Sequence, residues 1–421
     1  MPDSFFDWLE ATRQIALGDP AHALVALAAY VIAASVVLRP SYDARVKTAL
    51  FAVLNLAAVY VYFFSDLFAW PFPYDRTNAL QFAAYTAFAC AHWLLIDAIR
   101  RRPESTATYV AALAYPIAPL IVVKIETAWL LIGFSYMAFR MAQAALETRR
   151  DPSFKASFSA YAAFLFFPLT IPAGPISPFA YFSRGLGNGR APSLVSLGRG
   201  LVRIALGYVM LRYLATVAYQ MSFGGMWADG FRHGVGDLLI ASYSSLAYLY
   251  FNFAGFTHIV IGAAALVGVP VKENFDSPVL SRSVKEFWTR WHITLSEFVR
   301  DLVYSPLAVT LARRFGPEHA VPAAIVSGMI TFVIIGLWHG MSVGYLSFGL
   351  MHGVGFCSNL VFDALSTKLR KGRAKSLFAA PYWTALCWLL TMTYIALSMF
   401  VVEFDTAAEI REALAVFDLA W

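Results

Sequence analysis

His339 stands at the end of one strongly apolar run and immediately before another, in VIIGLWHGMSVGYLSFGLMHGVG. A titratable side chain at membrane depth is expensive unless it faces a polar cavity, so it marks a candidate site. Imidazole is the side chain best matched to take up a proton near neutral pH. His292 lies inside FWTRWHITLSEF, among charged and aromatic residues, and His352 inside GLMHGVG. His258 sits in an aromatic stretch, whereas His22, His92, His233 and His319 have no motif around them. The pattern predicts proton-transfer chemistry inside a bilayer. No HExxH or histidine–carboxylate cluster is present, so no metal site is expected, and without GxGxxG or a P-loop no nucleotide fold is expected. Cys90, Cys357 and Cys387 have no CxxC spacing and read as buried structural thiols.

The elements that must position these histidines are apolar helices. Hydrophobic residues make up 59% of the 421 and charged residues only 14%, and the mean hydropathy is +0.62. That balance excludes an ordinary soluble domain and predicts an all-α polytopic membrane protein. Runs long enough to cross hydrocarbon as helices occupy residues 21–38, 48–64, 79–99, 107–123, 127–146, 156–171, 201–219, 238–269, 321–337, 343–362 and 376–401. Periodicity does not separate a span from a buried re-entrant helix.

The formal charge of +6 is concentrated in short connections: Arg39, Arg45 and Lys47, then Arg100 to Arg102, then Arg149 and Arg150, then Lys368, Arg370, Lys371, Arg373 and Lys375. The positive-inside rule places these in the cytoplasm. A second reading makes them a docking surface for an acidic carrier protein. Both ends of the chain are acidic, with Asp3, Asp7, Glu10 and Asp19 at one and Glu403, Asp405, Glu409 and Glu412 at the other, which suits the extracytoplasmic side. The run 21–38 is followed by Arg39-Pro40 without a small-residue cleavage site and is expected to remain as the first span. The basic charge is not arranged as a nucleic-acid module.

Two segments break the helical rhythm. Residues 166–178 place four prolines and a glycine against an apolar run, which must end the helix there, either in an extracytoplasmic loop or at a cavity rim. Residues 274–307 mix charges with Phe287, Trp288, Trp291, Leu295, Phe298 and Leu302 at three- and four-residue steps, which predicts an amphipathic helix at the interface or dipping inward.

The order of Tyr250-Phe251-Asn252-Phe253-Ala254-Gly255-Phe256-Thr257-His258, Asn274-Phe275-Asp276-Ser277-Pro278, Glu286-Phe287-Trp288-Thr289-Arg290-Trp291-His292, Arg300-Asp301, Leu337-Trp338-His339-Gly340 and Met351-His352-Gly353 resembles that of the bacterial membrane-bound O-acyltransferases (MBOAT). It is similar to the DltB/AlgI-like branch, whose members act in D-alanyl transfer and alginate acetylation. The resemblance extends over about residues 130–360, so the chain is expected to form a single membrane domain, 1–421. Its parts would be N-terminal spans (1–129), a motif core (130–360) and a C-terminal basic loop with the last span (361–421). It implies a helical shell around a central tunnel, with re-entrant and amphipathic helices.

By the same resemblance His339 is the residue tied to catalysis and His292 a second polar residue of the tunnel. His352, His258, Trp338, Trp291, Asn252 and Arg290 are candidate tunnel residues. For Arg290 and Arg300, donor phosphates compete with carboxylates of their own helix, and the latter are favoured by spacing. No cofactor is expected to be bound. The co-substrate would be an acyl thioester, acetyl-CoA or an acyl carrier protein, and the acceptor a hydroxyl of a cell-envelope glycan or polymer. An extracytoplasmic SGNH-type transferase is the expected partner, in the bacterial cytoplasmic (inner) membrane. Pro306-Leu307 runs into Ala308-Val309-Thr310 where alginate-type members carry Pro-Leu-Gly-Gly-Asn. That departure speaks against alginate itself, and the acyl group stays open between acetyl, D-alanyl and a less familiar group. A proton-coupled transporter is the alternative, since intramembrane histidines also relay protons. The internal repeats common in such folds are absent from the LWHG and FWxRWH blocks.

Overall fold

A computed structural model describes residues 20–39, 41–64, 79–125, 133–187, 192–228, 231, 233–371, 376, 378 and 380–416. The acidic N-terminal flank and the basic residues Arg373 and Lys375 lie outside the described residues. Among the described residues 83% are helical, and none is in a strand. Eight helices among them are long and apolar enough to cross a membrane: Ala44–Phe63, Ala79–Arg101, Thr106–Ile125, Leu194–Gln220, Gly236–Leu266, Pro317–His339, Val343–Ser366 and Pro381–Glu403. This is an all-α polytopic membrane protein.

Contacts divide the chain into two compact units, residues 10–209 with 255–273 and residues 210–254 with 274–421. The first contains α1 (Pro20–Val37), α2 (Ala44–Val59), α3 (Ala79–Arg101), α4 (Thr106–Ile125), α5 (Phe134–Arg150), α6 (Phe158–Leu165), α7 (Phe179–Gly187) and α8 (Leu194–Val209). Two expected spans are corrected here. The run 127–146 belongs, where described, to α5, which carries Arg140, Glu147, Arg149 and Arg150 and is buried along most of its length. It packs against α3, α4, α6 and α7, so it is an interior helix and not a lipid-facing one. The run 156–171 yields only the eight residues of α6, too short to cross the hydrocarbon. The proline-rich stretch after it is mostly buried within the unit and is not an exposed loop.

Irregular backbone at that depth needs partners, and α5 supplies them. Arg140, 1% exposed, donates from Nη1 to the Phe164 and Leu165 carbonyls at 3.2 and 2.7 Å and from Nη2 to Thr170 Oγ1. Burial lowers its pKa to about 10, so it remains a cation at neutral pH, seated at the C-terminal end of α6 where the helix dipole favours positive charge. Two turns further along α5, the Glu147 carboxylate accepts from Phe179 N and Ala180 N at 3.0 and 2.8 Å, the first amides of α7. One helix therefore caps both sides of the break with the charge that each terminus prefers.

The second unit contains α9 (Ala215–Gln220), α10 (Phe223–Ala228), α12 (Val284–Arg290), α13 (Ile293–Val299), α14 (Ser305–Phe315), α15 (Ala320–His339), α16 (Val343–Lys371), α17 (Pro381–Ser398) and α18 (Ala407–Val416). Helix α11 (Val235–Leu266) gives residues to both units. α15 and α16 approach each other closely: a Cβ on Gly336 would meet the Tyr345 carbonyl and, at 3.1 Å, the Gly349 Cα. That approach holds His339, the last residue of α15, beside the first turns of α16.

The amphipathic helix expected over 274–307 is also corrected. Ser283 caps α12 by accepting from Glu286 N, and the helix stops at Arg290. Trp291 is extended and His292 left-handed before α13 begins. Phe287, Trp288, Trp291, His292, Leu295 and Phe298 are buried in the unit instead of lying in a headgroup belt. An ion pair between Lys285 and Asp363, together with Lys285 N donating to Asn359 Oδ1 at 3.1 Å, fastens α12 to α16.

Candidate active site

The site is built in the second unit, around the break between α12 and α13 and the turn between α15 and α16. His292 has φ 43° and ψ 52°, a conformation that non-glycine residues adopt rarely and at a cost of about 1–3 kcal/mol. Asn274 holds it there. Its Oδ1 receives Thr294 N at 3.2 Å, Thr294 Oγ1 at 2.8 Å and His292 Nδ1 at 3.1 Å, while its carbonyl receives Ile293 N at 2.9 Å. The His292 ring is 3% exposed, and its Nε2 has no hydrogen-bond partner among the described residues. Burial pushes its pKa down to about 3, so the ring is neutral at working pH. Phe253 meets it edge-on, with ring centroids 4.8 Å apart.

His352 lies in a different environment. Trp288 Nε1, which can only donate, reaches its Nδ1 at 3.1 Å. Its Nε2 must then carry the proton and donate to Ser398 Oγ at 2.9 Å, and that hydroxyl donates onward to the Ile395 carbonyl at 2.7 Å. Both nitrogens are committed, so this histidine ties α12, α16 and α17 together and has no lone pair to offer a substrate.

His339 is half-buried, its ring centroid 4.5 Å from Trp338, 5.9 Å from Tyr345 and 6.0 Å from Phe348. A continuous series of ring contacts leads from it to His292. Phe348 lies 4.3 Å from His352, His352 5.3 Å from Trp288, and Trp288 6.0 Å from Phe287. Phe287 stacks on Trp291 at 5.3 Å, Trp291 meets Phe275 at 5.1 Å, and Phe275 meets Phe253 at 5.2 Å. The candidates His339, Trp338, His352, Trp291 and His292 thus share one aromatic wall.

Asn252, 1% exposed, donates to Tyr248 OH at 3.4 Å and has an Oδ1 without a partner among the described residues. Arg290 is committed to Glu286, with Nε to Oε1 3.0 Å, and to the Asp276 carbonyl at 3.2 Å; Arg300 bonds Asp301 at 2.9 Å. Both arginines therefore take carboxylate partners, Arg290 at the four-residue spacing and Arg300 from its neighbour in sequence. His258 falls in the first unit, with Nδ1 buried and unpartnered among the described residues.

Asn274, Trp288 and Ser398 were not singled out by the sequence pattern, although Asn274 and Trp288 stand inside its motifs. Their roles depend on contacts 18, 64 and 46 residues away in sequence.

The chemistry available is that of imidazoles along an aromatic wall, with the buried His292 ring neutral, which suits proton uptake from an attacking hydroxyl. A family model described as membrane-bound O-acyltransferase matches residues 44–402. A teichoic acid D-alanyltransferase of Streptococcus thermophilus is 29% identical over 274 residues, 61% of this chain and 65% of that protein. The teichoic acid D-alanyltransferase of Bacillus subtilis is 28% identical over 53% of this chain and 57% of its own length. The "Probable alginate O-acetylase AlgI" of Pseudomonas syringae pv. tomato is 31% identical over 53% of this chain and 41% of its own length. The matched stretch thus spans less than two thirds of each of these relatives.

Proposed function

The chain belongs to the membrane-bound O-acyltransferase family, and on that premise we propose that it moves an acyl group, acetyl or D-alanyl, from a thioester to a hydroxyl. The donor is acetyl-CoA or an acyl carrier protein on the cytoplasmic face, and the acceptor leads to an extracytoplasmic glycan or polymer. The observation that carries this reading is the aromatic wall that joins His339 to His292.

His339 is the general base. As the hydroxyl oxygen attacks the thioester carbonyl, the new C–O bond forms, the C–S bond breaks, and the hydroxyl proton passes to His339. The imidazolium then returns that proton to the departing thiolate, so the histidine ends as it began. His292 is neutral with its open nitrogen at Nε2, which accepts hydrogen bonds and does not donate them. Of the two roles its position allows, polarising the thioester carbonyl is disfavoured, because that needs a donor. Holding an O–H or N–H of the bound acceptor is favoured.

The acyl group is then handed to an SGNH-type transferase outside the membrane, a step supported by the relatives' polymer substrates, whose many sites are poorly reached from inside a bilayer. The protein sits in the bacterial cytoplasmic (inner) membrane. Reconstituted with donor and glycan alone, it gives little polymer acylation, and addition of the partner raises acylation by about tenfold or more, on the order expected when a missing transfer step is supplied. Efficient acylation of polymer by the purified protein alone refutes the relay.

A further inference from the structure

We propose that Asn274 is the positioning residue of His292: its side-chain oxygen fixes the ring in the Nδ1–H tautomer and leaves the Nε2 lone pair for substrate. This rests on the reading of His292 as a substrate-holding group and adds the device that makes it one.

The tautomer follows from a backbone amide. Thr294 N–H can only donate, and it meets the Asn274 side chain at 3.2 Å, so the atom facing it is Oδ1 and not Nδ2. His292 Nδ1 meets that same oxygen at 3.1 Å. An oxygen with no hydrogen cannot donate, so Nδ1 carries the proton, and Nε2 is the unprotonated nitrogen. Asn274 is itself fully buried, so bulk water does not compete at its oxygen.

Among the described residues three histidines are deeply buried, His92, His292 and His352, and they serve as each other's controls. His92 bonds Tyr161 OH at 2.6 Å and the Ala112 carbonyl at 2.9 Å, and His352 bonds Trp288 and Ser398. In His292 alone of these three, one nitrogen is held and the other has no partner among the described residues. Buried polar atoms of a purely structural histidine are paired, as the other two are. Asn274 Nδ2 is likewise buried without a partner, so the amide offers a donor of its own beside the ring it holds. The left-handed backbone of His292 points the same way, since strain of this kind persists where the surroundings over-determine it.

The test uses full-length protein with 15N-labelled histidine, and reads the tautomer of His292 by nitrogen NMR alongside kcat, KM and their pH dependence. The wild type shows Nδ1 protonated and Nε2 bare. Asn274→Ala gives a mixed or Nε2–H ring and lowers kcat about ten- to hundredfold, the range typical when the partner orienting a functional histidine is lost. Thr294→Val, which removes one hydroxyl from the same oxygen without touching the ring, keeps the tautomer and stays within about threefold of wild type, as expected for loss of one neutral hydrogen bond. Asn274→Asp keeps the tautomer but sets a carboxylate against Nδ1–H, which raises the ring's pKa, so activity is lost at a higher pH as the pH falls.

An unchanged tautomer in Asn274→Ala overturns the proposal, as does an equal loss in Thr294→Val, which would make Asn274 only a cap for α13. If the alanine variant does not accumulate, an unmoved acid limb in Asn274→Asp overturns it. Full activity of His292→Ala would instead sink the role of His292 itself, whichever tautomer the wild type shows.

Discussion

His339→Ala lowers acyl transfer by about a hundred- to ten-thousand-fold, the contribution of a positioned general base, while insertion and yield stay at the wild-type level. The ring ends α15 and is only half-buried, and of its aromatic neighbours Phe348 also packs on His352. Its removal therefore trims contact area without opening a deep cavity. Turnover by purified protein, with size-exclusion profiles as the folding control, checks this. Near-normal turnover by a well-folded variant removes His339 from the mechanism.

Arg140→Leu acts on folding. It leaves the Phe164 and Leu165 carbonyls and Thr170 without their shared donor at the end of α6. Each buried acceptor left bare costs about 1–3 kcal/mol, so a loss on the order of 3–5 kcal/mol is expected. With about 2–4 °C per kcal/mol for a unit of this size, thermal unfolding followed by tryptophan fluorescence should move down by roughly 10 °C. Arg140→Lys recovers only part of the loss, because an ammonium lacks the planar fork that reaches several oxygens at once. Wild-type melting of Arg140→Leu would show that the break after α6 is held by other contacts.

The helical, membrane-spanning nature of the chain was legible because lipid imposes long apolar runs, and eight of those runs are helices of spanning length. The interior helix α5 was not, because a helix buried in protein and one facing lipid share much the same apolar content; Arg140 and Glu147 within it signal the difference. The prolines after α6 announced the end of that helix, but not that Arg140 and Glu147 from one neighbour cap both of its sides.

The histidines of the site were visible as residue types, yet their division of labour was not. His292 and His352 both stand inside sequence motifs, one beside tryptophan and the other beside glycine. Asn274 and Thr294 leave one open, whereas Trp288 and Ser398 close the other. The three- and four-residue periodicity of 284–302 was real as burial but wrong as a single helix, because the left-handed turn at His292 costs local propensity that only tertiary contacts restore.

The central claim is that an acyl group passes from a thioester on one face of the membrane to a hydroxyl on the other through His339. Sealed proteoliposomes of uniform orientation test it most directly, with labelled acyl thioester supplied only at the face of Arg101 and a small hydroxyl acceptor only at the face of Glu409. The account predicts label on the acceptor with the wild type and none above background with His339→Ala. Transfer that requires donor and acceptor on the same face, or that proceeds equally in both proteins, would contradict it.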